Sequence, residues 1–398
     1  MKLNGKSFTH SFGLSTAPVP VEPYISKDYF ELERERVFKR SWLCVGRVED
    51  ISQPGDYFVR DLPILRTSII VVRGQDGAIR AFHNMCQHRG NKLAGTGGTH
   101  GNVSAFTCCF HGWRYDLDGK LAYIPDEQSF FDLDKSKLKL MPLASDSWEG
   151  FIFVNASLTV GETVDQWIGE MAPLVKGFDF SFPLAGHYRT DLRCNWKIVL
   201  DSVQEAYHVV ALHRRTVASA FAAKENPFAH LTSARMFKRH RSVSVWGNPK
   251  VKPRPSESLA LKLARLSSPY TPSINQTNHP GLNPEQDNNW AFDIHVLFPN
   301  LQIILGEGYY LTQWAWPVAV DQTRYEVKMY MKPPAVPSES IMQEFNKVML
   351  YDVLLEDLFT LENTQASLSS GVKTELNFSD QEVACRHSYE VIDAMIRG

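Results

Sequence analysis

The sequence predicts an α+β fold: a small all-β domain followed by a helix-grip domain, an antiparallel sheet wrapped on a long helix. Three observations predict it. From Val45 to about Val154, short β-rich runs alternate with Gly, Pro, Asn and Asp turns. From Trp290 to Met331, four strand-like runs follow one another. After them, Ser338 to about Leu368 reads as one amphipathic helix. The 398 residues are 43% hydrophobic and 22% charged, enough apolar material for full cores. A net charge of −2 gives no general electrostatic reason to expect nucleic acid or an anionic membrane as a partner.

Along the chain, Met1 to Phe12 is polar and lacks the apolar core of a signal peptide. No apolar run approaches the roughly 18–20 residues that span a bilayer. Both point to a cytoplasmic protein. Ile25 to Trp42 reads helical, with Tyr29, Leu32, Val37 and Phe38 near one face and Glu31, Glu33, Arg34 and Glu35 on the other. The β-rich runs are Tyr57–Val59, Ser68–Val72, Phe106-Thr107, Trp113–Tyr115 and Phe151–Val154, with turns at Pro54-Gly55 and Asp118-Gly119. Val164 to Gly177 reads as helix, Tyr188 to Cys194 as strand, and Trp196 to about His213 as helix. Ala218 to Asn289 is irregular and reads largely as long loop. The four later strands are Trp290–Phe298, Leu301–Leu305, Tyr309–Trp316 and Tyr325–Met331. The expected boundaries are an N-terminal helical segment at 1–42 that packs on the last domain, the all-β domain at 43–158 and the last domain at 159–398.

Six cysteines in a chain this long are too sparse for a disulfide scaffold. Cys44, Cys194 and Cys385 stand alone and read as buried small hydrophobes. The other three lie in two short stretches, Cys86-Gln87-His88-Arg89-Gly90 and Cys108-Cys109-Phe110-His111-Gly112-Trp113. Each stretch pairs a thiol with an imidazole and is followed by Gly. Two Cys on one iron and two His on the other make a Rieske-type [2Fe–2S] cluster. Zinc also accepts two Cys and two His, but its loops usually pair like with like. The expected ligands are Cys86, His88, Cys108 and His111. Cys108 is preferred to Cys109 because it gives C-x-x-H. His83 and His100 read as ordinary loop or surface residues.

A second group lies on the predicted helix after Trp196. Glu205 and His208, three apart, share a helix face. His208 and His213 would diverge by about 140° on a regular helix, so both reach one metal only if the helix kinks or ends between them. Two His need a carboxylate to complete a facial triad with open iron positions. Alone, these residues also suit a structural reading as satisfied histidines.

The order C-x-H, C-x-x-H-G-W, N-W-K and E-x-Y-H-x₄-H resembles the catalytic α subunit of Rieske non-heme iron oxygenases over essentially the whole chain. The resemblance implies that His208 and His213 bind a mononuclear Fe(II), with a carboxylate from the C-terminal helix. Asp357, followed after four residues by Glu362, fits the family's acidic pair, with Glu356 the fallback. Glu205 resembles the acid that links a cluster histidine of one subunit to an iron histidine of its neighbour. Most aromatic-ring dioxygenases have Asp there; Glu occurs in the branch of quaternary-ammonium monooxygenases, among others. Two departures stand out: Asp201-Ser202 where the family usually has Glu-Asn, and Cys109 where it often has Pro.

The resemblance implies a terminal oxygenase, mono- or dioxygenase. A separate reductase, or a ferredoxin, would deliver electrons from NAD(P)H through flavin to the cluster and on to the iron, which activates O₂. It implies a homotrimer or a multiple of one. The expected reaction is hydroxylation or oxidative demethylation of a small organic substrate, most readily an aromatic compound such as an aromatic acid, in aromatic hydrocarbon catabolism. The alternatives are a quaternary-ammonium or betaine monooxygenase and, in another class, an electron carrier without oxygenase activity. Candidate substrate-lining residues are Phe221, Phe228, Phe237, Trp246, Phe292, His295 and Trp314, each of which also suits core packing. The run Lys238–Arg241 suits a carboxylate substrate, an acidic reductase or a solvated strand.

Overall fold

The computed structural model describes residues 7–157, 159–263, 279–306 and 308–398. Met1–Lys6 of the polar N-terminus and residues 264–278 of the expected loop lie outside the described residues. The chain forms two compact units: residues 34–167, and the N-terminal stretch to Glu33 together with Ile168–Gly398. These divisions fall at 33/34 and 167/168, against 42/43 and 158/159 read from composition.

The first unit is all-β. Its strands are β1 (Leu43–Arg47), β2 (Asp56–Leu62), β3 (Thr67–Arg73), β4 (Ile79–His83), β5 (His100–Asn102), β6 (Phe106–Thr107), β7 (Arg114–Tyr115), β8 (Leu121–Tyr123), β9 (Pro142–Trp148) and β10 (Phe151–Asn155). Seven form an antiparallel sheet ordered β1-β10-β9-β4-β3-β2-β5, and β6-β7-β8 form a second, smaller sheet. The turn between β7 and β8 requires glycine: Gly119 has φ +86, and a Cβ there would stand 2.6 Å from the Phe82 ring. Ile70, Val72, Phe82, Trp113, Tyr115 and Leu140 share one hydrophobic core with Cys86 and Cys108. Packing therefore holds the two cysteine loops against the sheets.

The second unit carries α1 (Lys27–Leu32), α2 (Trp196–Ser202), α3 (Val209–Leu212), α4 (Pro337–Leu368) and α5 (Val383–Arg397). Its strands are β11 (Leu184–Leu192), β12 (Ser233–Met236), β13 (Arg241–Trp246), β14 (Trp290–Leu297), β15 (Leu301–Gly306), β16 (Tyr309–Ala319) and β17 (Gln322–Met331), in the antiparallel order β11-β17-β16-β15-β14-β13-β12. Helix α4 opens with Pro337 in its first turn, where the missing N–H costs nothing. It buries Met342, Asn346, Met349, Leu350, Leu354, Asp357 and Leu361, a stripe at three- and four-residue spacing. Among the described residues no helix is long and apolar enough to cross a membrane.

Three expectations need correction. The helix after Trp196 is not continuous: α2 ends at Ser202, and only one further turn, α3, follows. The segment 218–289 is loop over most of its described residues, but the β12–β13 hairpin inside it, which was not expected, completes the sheet. Its polar composition hid strands that the sheet buries. The run Lys238–Arg241 is not a solvated strand, because His240 and Arg241 are buried. Phe298 N–H donates to His240 Nδ1 (3.0 Å), while Arg241 Nε donates to Gln204 Oε1 (2.6 Å) and its Nη2 to Ser388 Oγ (3.0 Å). Helix α5 was not foreseen.

Candidate metal centres

In the first unit two loops present the expected cluster ligands. Each closes on a glycine in the left-handed region, Gly90 at φ +78 and Gly112 at φ +73. Gly90 N–H donates to Cys86 O (3.0 Å) and Gly112 N–H to Cys108 O (2.9 Å), so the two turns have the same form. The sulfurs of Cys86 and Cys108 lie within interaction range of each other. The His88 and His111 rings meet edge to face with centroids 4.5 Å apart, and His88 stacks on Trp113 at 4.9 Å.

The donors around this site suit thiolates. The Tyr115 hydroxyl is 3.3 Å from Cys86 Sγ. Burial pushes the Cys86 thiol up, against Tyr115 and the His88 amide. Burial also acts to raise Cys108, but the amides of Phe110 and His111 outweigh it and bring the thiol down. Burial, then His111 and Arg89, lower His88, which favours the neutral imidazole a metal needs. His88 Nδ1 is buried without a hydrogen-bond partner. An orphaned ring nitrogen beside two buried sulfurs fits a cluster ligand set. Cys109, by contrast, is exposed, and the Asn91 side chain approaches its sulfur at 3.5 Å. His83 pairs with Thr67 Oγ1 at 2.8 Å, and His100 lies on edge strand β5.

In the second unit α2 is anchored at its start. Asn195 caps it, accepting from Lys197 N–H at 3.0 Å. Trp196 Nε1 and Lys197 Nζ both donate to the buried Glu33 carboxylate, at 3.0 and 2.5 Å. At the other end, Gln204 ties down the chain as it leaves the helix. Its Nε2 donates to Asp201 Oδ1 (3.2 Å), and its Oε1 accepts from Arg241. The Tyr24 hydroxyl also donates to Asp201, at 2.8 Å. Glu205 and His208 therefore sit in an irregular turn, and His213 caps the end of α3.

This break lets three ligand atoms converge. One atom from each of His208, His213 and Asp357 lies within 4.8 Å of the others. His213 Nε2 is 3.2 Å and His208 Nε2 is 3.7 Å from Asp357 Oδ1. Asp357 Oδ1 is nevertheless buried without a properly aligned hydrogen bond. Convergence without satisfied hydrogen bonds is what a shared cation would relieve, and two imidazoles plus one carboxylate suit iron. The outer nitrogens are engaged. His208 Nδ1 donates to Glu205 Oε1, and His213 Nδ1 to Glu356 Oε2 at 2.7 Å. Thr216 Oγ1 also donates to Glu356, at 2.7 Å. Glu356 thus stands behind His213, on the side away from Asp357. Burial acts to lower both histidines, but Glu205 beside His208 and Asp357 beside His213 outweigh it and raise them.

A cavity of about 130 Å³ opens beside these three residues. Phe221 and Phe292 line it, packed edge to face at 5.6 Å, with Val209, Ile304, Leu311 and Met329. The other five expected lining residues do not reach it. Trp246, His295 and Trp314 are buried elsewhere in the core, Phe228 is largely exposed, and Phe237 receives a hydrogen bond from His387 Nε2 at its carbonyl. Sequence reasoning missed Tyr309 and Gln313. Alternation along β16 was the available signal, since Tyr309, Leu311 and Gln313 share one face.

Comparison with known proteins adds independent findings. Residues 183–398 match the family model of the ring hydroxylating alpha subunit (catalytic domain), and residues 41–142 match that of the Rieske [2Fe-2S] domain. The chain is 34% identical over 192 residues to the carnitine monooxygenase oxygenase subunit of Acinetobacter baumannii, covering 48% of this chain and 51% of that protein. It is 31% identical over 231 residues to the benzene 1,2-dioxygenase subunit alpha of Pseudomonas putida, covering 56% of this chain and 50% of that protein. In these alignments the chain spans about half the length of the curated relatives it matches. In fold it is similar to the quaternary ammonium Rieske monooxygenase CntA, with TM-score 0.74, 20% identity and coverage of 96% of this chain and 95% of that one.

Proposed function

The chain belongs to the ring hydroxylating alpha-subunit family, and from that premise we propose that it is the terminal oxygenase of a multicomponent electron-transfer system. In this reading Cys86, His88, Cys108 and His111 hold a Rieske [2Fe–2S] cluster, and His208, His213 and Asp357 hold a mononuclear Fe(II). The observation that carries it is the convergence of those three side chains beside an apolar cavity. When bound, the iron supplies reductive activation of O₂ for insertion into a C–H or C=C bond.

The protein's own groups prepare that chemistry. Glu205 and Glu356 each accept the Nδ1 proton of a histidine, leaving both Nε2 lone pairs toward Asp357. The apolar walls exclude water and hold substrate next to the open side of the site. The catalytic constellation, absent from a pure electron carrier, favours the oxygenase. Glu205 is proposed to link a cluster histidine of a neighbouring subunit to His208, which calls for a cyclic trimer. A separate NAD(P)H-dependent flavin reductase, directly or through a ferredoxin, would supply electrons. Six cysteines with no disulfide among the described residues favour a reducing cytoplasm.

The cavity favours a small, largely apolar substrate such as a benzene derivative. An engineered apolar cavity of about 150 Å³ holds one benzene. Among the described residues, no Lys or Arg lines the cavity, which counts against an aromatic acid or a carboxylate-bearing betaine. A second reading, a quaternary amine without a carboxylate, draws on the relatives and on Phe221, Phe292 and Tyr309 as aromatic faces. The test is a product screen under ¹⁸O₂ with a surrogate reductase, across neutral benzenes and quaternary amines. Label should enter a product with wild type and not with His208→Ala, whose cluster spectrum stays intact. Turnover surviving His208→Ala would refute the iron site.

A further inference from the structure

Among the described residues lining the cavity, Gln313 has an amide whose hydrogen-bonding capacity is half used. Most lining side chains are apolar. Ser202 Oγ donates to Val199 O at 3.0 Å, and Glu205 holds His208. Gln313 is different. It stands on the cavity face of β16 and is only 3% exposed. The Tyr325 hydroxyl donates to its Oε1 at 2.5 Å. That hydroxyl has no other acceptor among the described residues, so the bond sets which way round the amide lies. Gln313 Nε2 has no partner among the described residues, and it is not one of the sealed, unpartnered buried atoms. The cavity is therefore where it points. A ligand that fills the cavity without an acceptor would leave this donor unpaired at a cost, which a ligand carrying an acceptor avoids.

We propose that Gln313 is a specificity-determining residue whose Nε2–H donates to an oxygen on the substrate. The inference rests on the oxygenase reading of the same site and narrows its substrate class. The molecule is neutral and about the size of one ring, and it carries an ether, carbonyl or hydroxyl oxygen on an apolar body. An anion would find no Lys or Arg among the described lining residues. A quaternary ammonium would meet the positive end of the amide N–H dipole. Tyr325 acts as a positioning residue, through Gln313.

Anisole and ethylbenzene test this, because they differ in shape by little more than an oxygen for a methylene. Calorimetric binding to the iron-loaded holoenzyme should show anisole preferred by about tenfold, the worth of one neutral hydrogen bond to a buried donor. Gln313→Met keeps length and removes the donor, so the two probes should then bind within about twofold of each other. Tyr325→Phe frees the amide to rotate and should reduce the preference part-way; it also decides the matter if Gln313→Met loses its cluster absorbance. Equal binding of the probes to wild type, or a preference that survives Gln313→Met, overturns the proposal. So does tighter binding of choline than of anisole. If neither aromatic probe binds, this substrate class is wrong. Reductant-dependent O₂ uptake, abolished by His208→Ala, separately decides whether the oxygenase reading falls with it.

Discussion

Glu356 and Asp357 are neighbours on α4 that meet opposite sides of one imidazole, and exchanging their roles would change the chemistry of the centre. Asp357 Oδ1 faces His213 Nε2 at 3.2 Å, whereas Glu356 Oε2 accepts from Nδ1 at 2.7 Å. Removing Glu356 should therefore weaken iron binding without removing a ligand. A carboxylate behind a metal-binding histidine is typically worth 10- to 100-fold in metal affinity. The Glu356 side chain is 25% exposed, so water replaces part of its contact and the low end applies. Glu356→Ala should lose about tenfold in Fe(II) affinity, ~1.4 kcal/mol. Glu356→Gln keeps a neutral acceptor for His213 Nδ1–H and should lose less. Asp357→Ala removes a ligand and should lose more than about a hundredfold. Anaerobic Fe(II) titration of protein stripped of mononuclear iron reads these values, with cluster absorbance as the folding control. If Glu356→Ala lost as much as Asp357→Ala, or Asp357→Ala bound iron normally, the assignment of the two carboxylates would be refuted.

Three further outcomes follow from the same geometry. Cys108→Ser should abolish the Rieske absorbance while Cys109→Ser preserves it, because only Cys108 sits in the core beside Cys86. Tyr115→Phe removes the hydroxyl 3.3 Å from Cys86 Sγ and should lower the cluster potential. One hydrogen bond of about 1 kcal/mol corresponds to roughly 40 mV for one electron, readable by voltammetry. Burial raises the Asp201 carboxyl to about 7, above its unfolded value, so the fold prefers the protonated acid. That contribution is fully present below the unfolded value and is lost as pH rises through 7. Urea midpoints should fall from pH 5 to 8 in wild type and fall less in Asp201→Asn.

The candidate cluster loops were legible in the sequence because the proposed ligands are local. Thiol, imidazole and glycine lie within five positions in each stretch, and the strands around them carry clear turn signals. The candidate iron site was half legible. The spacing of His208 and His213 demanded a break, but Val203 to Tyr207 contains no Pro or Gly to announce one. The break is a tertiary effect, with Gln204 drawn to Asp201 and Arg241. Spacing could not supply the carboxylates either, since Glu356 stands 143 positions from the histidine it supports. Only the family resemblance pointed to Asp357. The β12–β13 hairpin was missed because Arg241, Ser242 and Ser244 read as surface residues, yet the sheet buries them.

The two acids on α4 also bear on which length changes such a chain can survive. An inserted residue turns the rest of a helix by about 100°. Placed in α4 just before Glu356, it would swing both carboxylates off His213 at once, and no side-chain repair elsewhere could restore them. The stretch after Ser202 obeys another rule. Its course is set by tethers rather than by a helical repeat, so a one-residue change there can be absorbed where Gln204 keeps its hold on Asp201 and Arg241. Insertions and deletions among homologues should therefore be tolerated far more readily ahead of the histidines than within the turn of α4 that faces them.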